Sequence, residues 1–76
     1  MDFRIFGRLE RRPDGTFRAI ASAIPNAPGE GPRREDIRAA TGRTLTDARI
    51  ALGRLVHSVC SLVMRRGDSV VWLDVR

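Results

Sequence analysis

Pro13-Asp14-Gly15 stands between two stretches of alternating apolar and polar residues, and no other feature limits what this chain can fold into as sharply. Pro presets the first turn position, Asp bonds its own downstream backbone, and Gly takes the left-handed conformation that closes a three-residue hairpin with a bulge. Upstream, Phe3, Ile5, Gly7 and Leu9 alternate with Arg4, Phe6, Arg8 and Glu10, the two-residue period of a half-buried strand. The second strand runs from Thr16 to Ile24. With Arg12 opposite Thr16, the turn dictates a register in which Glu10 faces Arg18, Leu9 faces Ala19, Gly7 faces Ala21 and Ile5 faces Ala23.

That register sorts the side chains. One face collects Phe3, Ile5, Leu9, Phe17 and three alanines, small enough to admit a helix close to the sheet. The other collects Arg4, Arg8 and Arg18 with Phe6, Ile20 and Ile24, and sets Glu10 and Arg18 across the strands as an opposite-charge pair. A fully solvated face does not normally carry three large apolar residues, so this second face is a candidate contact surface for a subunit or ligand.

Pro25-Asn26-Ala27-Pro28-Gly29-Glu30-Gly31-Pro32 lacks the donors for regular structure and reads as a loop. Residues 33–41 have two readings. Pro32 at a first helical position, followed by Arg33-Arg34-Glu35-Asp36-Ile37-Arg38-Ala39-Ala40 and Gly42, has the composition of a two-turn helix. A third strand with Glu35, Ile37, Ala39 and Thr41 on one side is the alternative. Thr44 opens a long helix over about 44–66, with Asp47 as a capping-box-like partner and Arg65, Arg66 and Gly67 at its end. Leu45, Ala48, Leu52, Leu55, Val59 and Leu62 form its apolar stripe, widened by Ala51, Val56 and Val63. Val70-Val71-Trp72-Leu73-Asp74-Val75 predicts a last strand, covered on both faces or paired with another subunit.

The 76 residues form a single domain. A chain this short buries only about 60% of the surface its unfolded form exposes, so the core is thin. Cys60 is the only cysteine and His57 the only histidine, which excludes an internal disulfide and a four-ligand zinc site. A second subunit is the remaining way to stabilise a small fold, and a homodimer is expected. All fourteen basic residues are arginine, for a net charge of +5. Guanidinium groups hold phosphate and carboxylate oxygens in a bidentate way, which makes Arg4, Arg8, Arg18 and the adjacent Arg33 and Arg34 the candidate contacts to a protein partner or nucleic acid. Arg49, Gly53, Arg54 and His57 interrupt the long helix, so no membrane span is expected, and without a secretory leader the expected location is cytoplasmic.

Catalytic chemistry finds little footing. His57 and Ser61 share a helix face but lack an oxyanion loop and an orienting carboxylate. Cys60 reads as a small hydrophobe at the edge of the stripe. The acidic pairs Glu35/Asp36 and Asp68/Asp74 read as solvated charges rather than metal ligands, and Gly29, Gly31 and Gly42 lack phosphate-loop spacing. The residues thus predict a binding module with no catalytic site, metal or cofactor.

In order, these features resemble a known family. A hairpin with Asp14-Gly15 in its turn, a strand running into Pro25-x-x-Pro28-Gly29, then Gly42-x-Thr44-x-x-Asp47-Ala48 and a helix closed by Gly67-Asp68 are similar to the HicB-type antitoxins and their stand-alone relatives, over about residues 3 to 75. The resemblance implies an α+β, β-β-β-α-β domain: an antiparallel sheet packed on one long helix, a partial ribonuclease-H-like fold without catalytic carboxylates. It also implies a non-enzymatic role in covering a small, basic or RNA-directed toxin-like protein. The stretch from Gly29 to Gly42 departs from the family outline through its length and its Pro32, Arg33 and Arg34. Full antitoxins continue beyond the position of Arg76 into a DNA-binding module, so operator binding is not expected. Two DNA-binding outlines stand as alternatives: the integrase arm-type sheet, and a winged helix built from Glu35–Gly42, Leu45–Leu55 and Val63–Asp68.

Overall fold

The computed structural model describes residues 1–76. Strands β1 (Asp2–Arg11) and β2 (Phe17–Pro25) form the hairpin, β3 (Ile37–Gly42) follows, α1 (Leu45–Arg65) crosses the sheet, and β4 (Ser69–Val75) completes it. The strand order is β3-β2-β1-β4. The fold is therefore α+β with the β-β-β-α-β order expected. Within it β1–β2 and β2–β3 are antiparallel, whereas β4 runs parallel to β1, which makes the sheet mixed rather than antiparallel throughout. A helix laid across the sheet between β3 and β4 returns the chain to start β4 beside the start of β1, which is the usual reason parallel neighbours need a crossover.

The hairpin has the predicted register at every position, including Glu10 opposite Arg18 and Ile5 opposite Ala23. Its turn closes with the Arg12 N–H donating to Thr16 O at 2.8 Å, and Gly15 takes φ +85°. Asp14 Oδ1 accepts from both the Thr16 N–H, at 2.9 Å, and the Thr16 hydroxyl, at 2.6 Å. These bonds stabilise the charged carboxylate and hold its pKa below the ordinary value.

Segment 33–41 resolves largely as strand. Only Arg34–Asp36 form a helical turn, and Ile37–Gly42 pair with β2, with Ile37, Ala39 and Thr41 beside Ser22, Ile20 and Arg18 on one face. Helical composition loses here because β2 offers a free ladder of backbone groups, and pairing satisfies them over the whole strand. With one continuous helix over 45–65, the chain contains no helix-turn-helix, so the winged-helix outline does not apply. No helix is long and apolar enough to cross a membrane.

Thr44 caps α1 by accepting from the Asp47 N–H at 3.1 Å. At the other end Asp68 N–H reaches Val63 O at 3.1 Å while Gly67 adopts φ +86°, the Schellman arrangement that glycine favours. The core joins Phe3, Ile5, Ala21 and Ala23 of the sheet to Val59 and Val63 of the helix. Of the predicted stripe, Ala48, Leu52, Val59 and Val63 are buried, whereas Leu45 lies exposed at the helix start.

Two glycines mark how closely the layers approach. A Cβ at Gly42 would stand 2.6 Å from the Ala48 nitrogen, and one at Gly7 would stand 2.9 Å from Val56 Cγ2. Asp36 corrects the sequence reading of a solvated charge. Its side chain is fully buried and accepts from Arg66 Nη1 at 2.9 Å and Nη2 at 3.3 Å, while the same guanidinium lies 5.2 Å from the Phe3 ring centroid. The turn before β3 is thus tied to the end of α1 over one end of the core.

Paired substitutions test this packing in unfolding experiments. Gly42→Ala should lower stability by about 1–3 kcal/mol, because backbone on the facing element cannot move aside. Gly53→Ala, at an exposed helical position with open space around it, should raise stability by about 1 kcal/mol. Equal effects in urea unfolding would refute the close approach at Gly42. Arg66→Ala should cost about 3 kcal/mol, since it strands a buried carboxylate, and Arg65→Ala well under 1 kcal/mol.

Candidate binding surface

Because α1 covers one face of the sheet, the other is left open. The hairpin register puts Arg4, Phe6, Arg8 and Glu10 of β1 and Arg18, Ile20, Ser22 and Ile24 of β2 on that open face. On one side β3 adds Ile37 and Ala39, and on the other β4 adds Trp72 beside Arg4 and Asp74 beside Phe6. The result is a shallow groove floored by Phe6, Ile20 and Ile24 and edged by Arg8, Arg18 and Arg76, with Pro32 closing one side.

The charges on the face are unevenly matched. Arg8 pairs with Glu10 on its own strand at 2.8 Å, and Arg76 with Asp74 at 3.4 Å. Glu10 and Arg18 are direct cross-strand neighbours, as the register required, yet the ion pair closes along β1 and leaves Arg18 without a carboxylate. Arg4 lies with its guanidinium carbon 5.6 Å from the Phe6 ring centroid, and its Nε is buried without a hydrogen-bond partner. A buried donor in that state costs about 1–3 kcal/mol. Beside it, Trp72 is 57% exposed, and the two share a second hollow with Asn26 and Val71.

The structure therefore brings Arg4, Arg8 and Arg18 together on one surface. It does not bring Arg33 and Arg34 to them: both are exposed at the turn before β3 and neither lines the groove. Sequence reasoning missed Arg76, Ile37 and Asp74 as members of the face, because their placement depends on how β3 and β4 pair with the hairpin. No local pattern carries that information.

The remaining chemical candidates lie elsewhere. His57 is exposed and Ser61 half-buried on α1, with no hydrogen bond between them. Cys60 packs beside the core, and burial pushes its thiol pKa up. Asp68 receives the N-terminal amine at 3.2 Å and lies 3.7 Å from Arg66, far in role from Asp74 on the open face. Comparison with known proteins finds no matching family model, no matching curated protein and no matching solved structure.

The Cys60 environment gives a direct check on packing at this edge of the helix. Because burial disfavours the thiolate, alkylation of the folded chain near pH 8 should be slower than in guanidinium chloride, where the thiol is solvated. Equal rates in the two conditions would contradict the packed position of Cys60.

Proposed function

We propose that this protein is a non-enzymatic binding module, HicB antitoxin-like, whose open sheet face grips a small toxin-like protein. The observation that carries this reading is the open face itself: an apolar floor of Phe6, Ile20 and Ile24 framed by Arg4, Arg8, Arg18 and Arg76. Apolar centres with arginine and tryptophan anchors are the composition of energetically dominant protein contacts. Four guanidinium groups against the carboxylates of Glu10 and Asp74 give the face a positive balance. The contacting patch of the partner is therefore acidic, even where the partner as a whole is basic. The β-β-β-α-β order, which the resemblance to HicB-type domains implies, lends further support.

A second reading, an RNA strand on the same face, is favoured by one observation: the exposed Trp72 indole next to Arg4 and Phe6. Successive bases stack on such rings while arginines follow the phosphates.

The product of a neighbouring toxin-like reading frame, co-expressed with this chain, should co-purify with it, and Arg8→Ala/Arg18→Ala should weaken the complex by at least about tenfold in Kd, the cost of losing two arginine contacts. Retention of full affinity in that variant would remove the open face from the account. If RNA is the ligand, each Arg→Ala on the face should lower the slope of log K against log salt by about 1. Binding that does not change with salt would exclude the phosphate-led reading.

A further inference from the structure

The two edges of the sheet are treated differently. Strand β3 ends one side with small or polar residues, Ala39, Ala40 and Thr41, and its Arg38 guanidinium folds back to donate to the carbonyls of Glu35, at 2.6 Å, and Ile37, at 3.0 Å. A charged side chain on an edge strand discourages further pairing. Strand β4 ends the other side with larger apolar residues. It contains no Pro and one charge, Asp74, which Arg76 neutralises at 3.4 Å. Val71, Trp72, Leu73 and Val75 are 47–57% exposed, and the backbone groups on the outer side of β4 meet no neighbour.

Apolar side chains project from both faces of this edge. Trp72 is on the open face, opposite Arg4, and Leu73 and Val75 are on the helix face, opposite Ile5 and Gly7. There α1 leaves them uncovered, because the helix lies mainly over β2 and β3 and only grazes β4. An exposed strand with apolar residues on both faces and a free ladder is a pairing surface.

We infer that β4 pairs antiparallel with β4 of a second copy of this chain, joining the two sheets edge to edge about a two-fold axis at Leu73. The occupant is a second copy because β4 is complementary to itself. Antiparallel edges meet about a two-fold perpendicular to the sheet, which keeps both helices on one face and sets the axial residue opposite its own copy. Asp74 on the axis would oppose like charges. Leu73 on the axis instead sets leucine against leucine on the helix face and Trp72 against Asp74 on the open face, each Asp74 still beside its own Arg76. The irregularity between Phe3 and Arg4, which leaves Val71 without a partner on β1, bounds the regular pairing on one side. The sites on the two open faces then abut, with a Trp72 and Arg4 from each copy flanking the axis.

This inference concerns the sheet edge and not the face, so it is tested separately from the binding role. Purified full-length chain should sediment as a dimer at micromolar concentration. In a Cys60→Ser background, Leu73→Cys should oxidise to a covalent dimer, since directly opposed residues have Cα atoms about 4.5–5.5 Å apart, within disulfide range. Ile50→Cys, equally exposed on the helix, should not. Leu73→Lys should give a monomer with unchanged circular dichroism, because Leu73 is already 57% exposed and holds up none of the core. A monomer at every concentration would overturn the inference and leave the edge for the strand of a different protein. A dimer that survives Leu73→Lys, or cross-links no faster through Leu73→Cys than through Ile50→Cys, would overturn it as well.

Discussion

Everything in this fold depends on how closely one helix lies against the sheet. Ala19, Ala21 and Ala23 pave the middle of β2, and Gly7 and Gly42 remove side chains where α1 comes nearest. With such small residues on the sheet side, Val59 and Val63 of the helix reach Phe3 and Ile5 directly. Interiors are packed to the density of organic crystals, so a gap between layers would forfeit the dispersion contacts that make a thin core cohere. A domain of this size has no second core to compensate.

The same economy explains the open face. One helix of this length covers one face of a four-stranded sheet and no more, and it lies toward the β2–β3 side. Phe6, Ile20 and Ile24 therefore remain without a cover from the helix, and arginines are interleaved with them. Arg4 condenses the conflict into one side chain: its stem and guanidinium lie along Phe6, and its Nε is shut off from water without an acceptor. Such a group is costly to the isolated chain.

The ion pair between Asp36 and Arg66 has a different character. It joins groups thirty positions apart and lays the guanidinium over the Phe3 ring at one end of the core. A buried carboxylate contributes little net stability beyond what an apolar pair would give, yet it penalises any arrangement that separates it from its arginine. It fits the turn before β3 to one place on α1, and so fixes where β3 begins.

What the sequence determined by itself were the elements whose instructions are local. Asp14 and Gly15 set the hairpin register, Thr44 and Gly67 bounded the helix, and the alternation around Arg4, Arg8 and Arg18 put those three on one face, since each depends on residues a turn or a strand apart. The tertiary structure alone decided the rest. Residues 37–42 became a strand because β2 had a vacant ladder, although their composition suits a helix. Asp36 went inside because Arg66 was there to meet it. Strand β4 paired parallel to β1 because α1 carries the chain back across the sheet, and that pairing placed Trp72, Asp74 and Arg76 beside the hairpin arginines. In each case the deciding partner is distant in sequence, and the free energy belongs to a contact that exists only once the chain has folded.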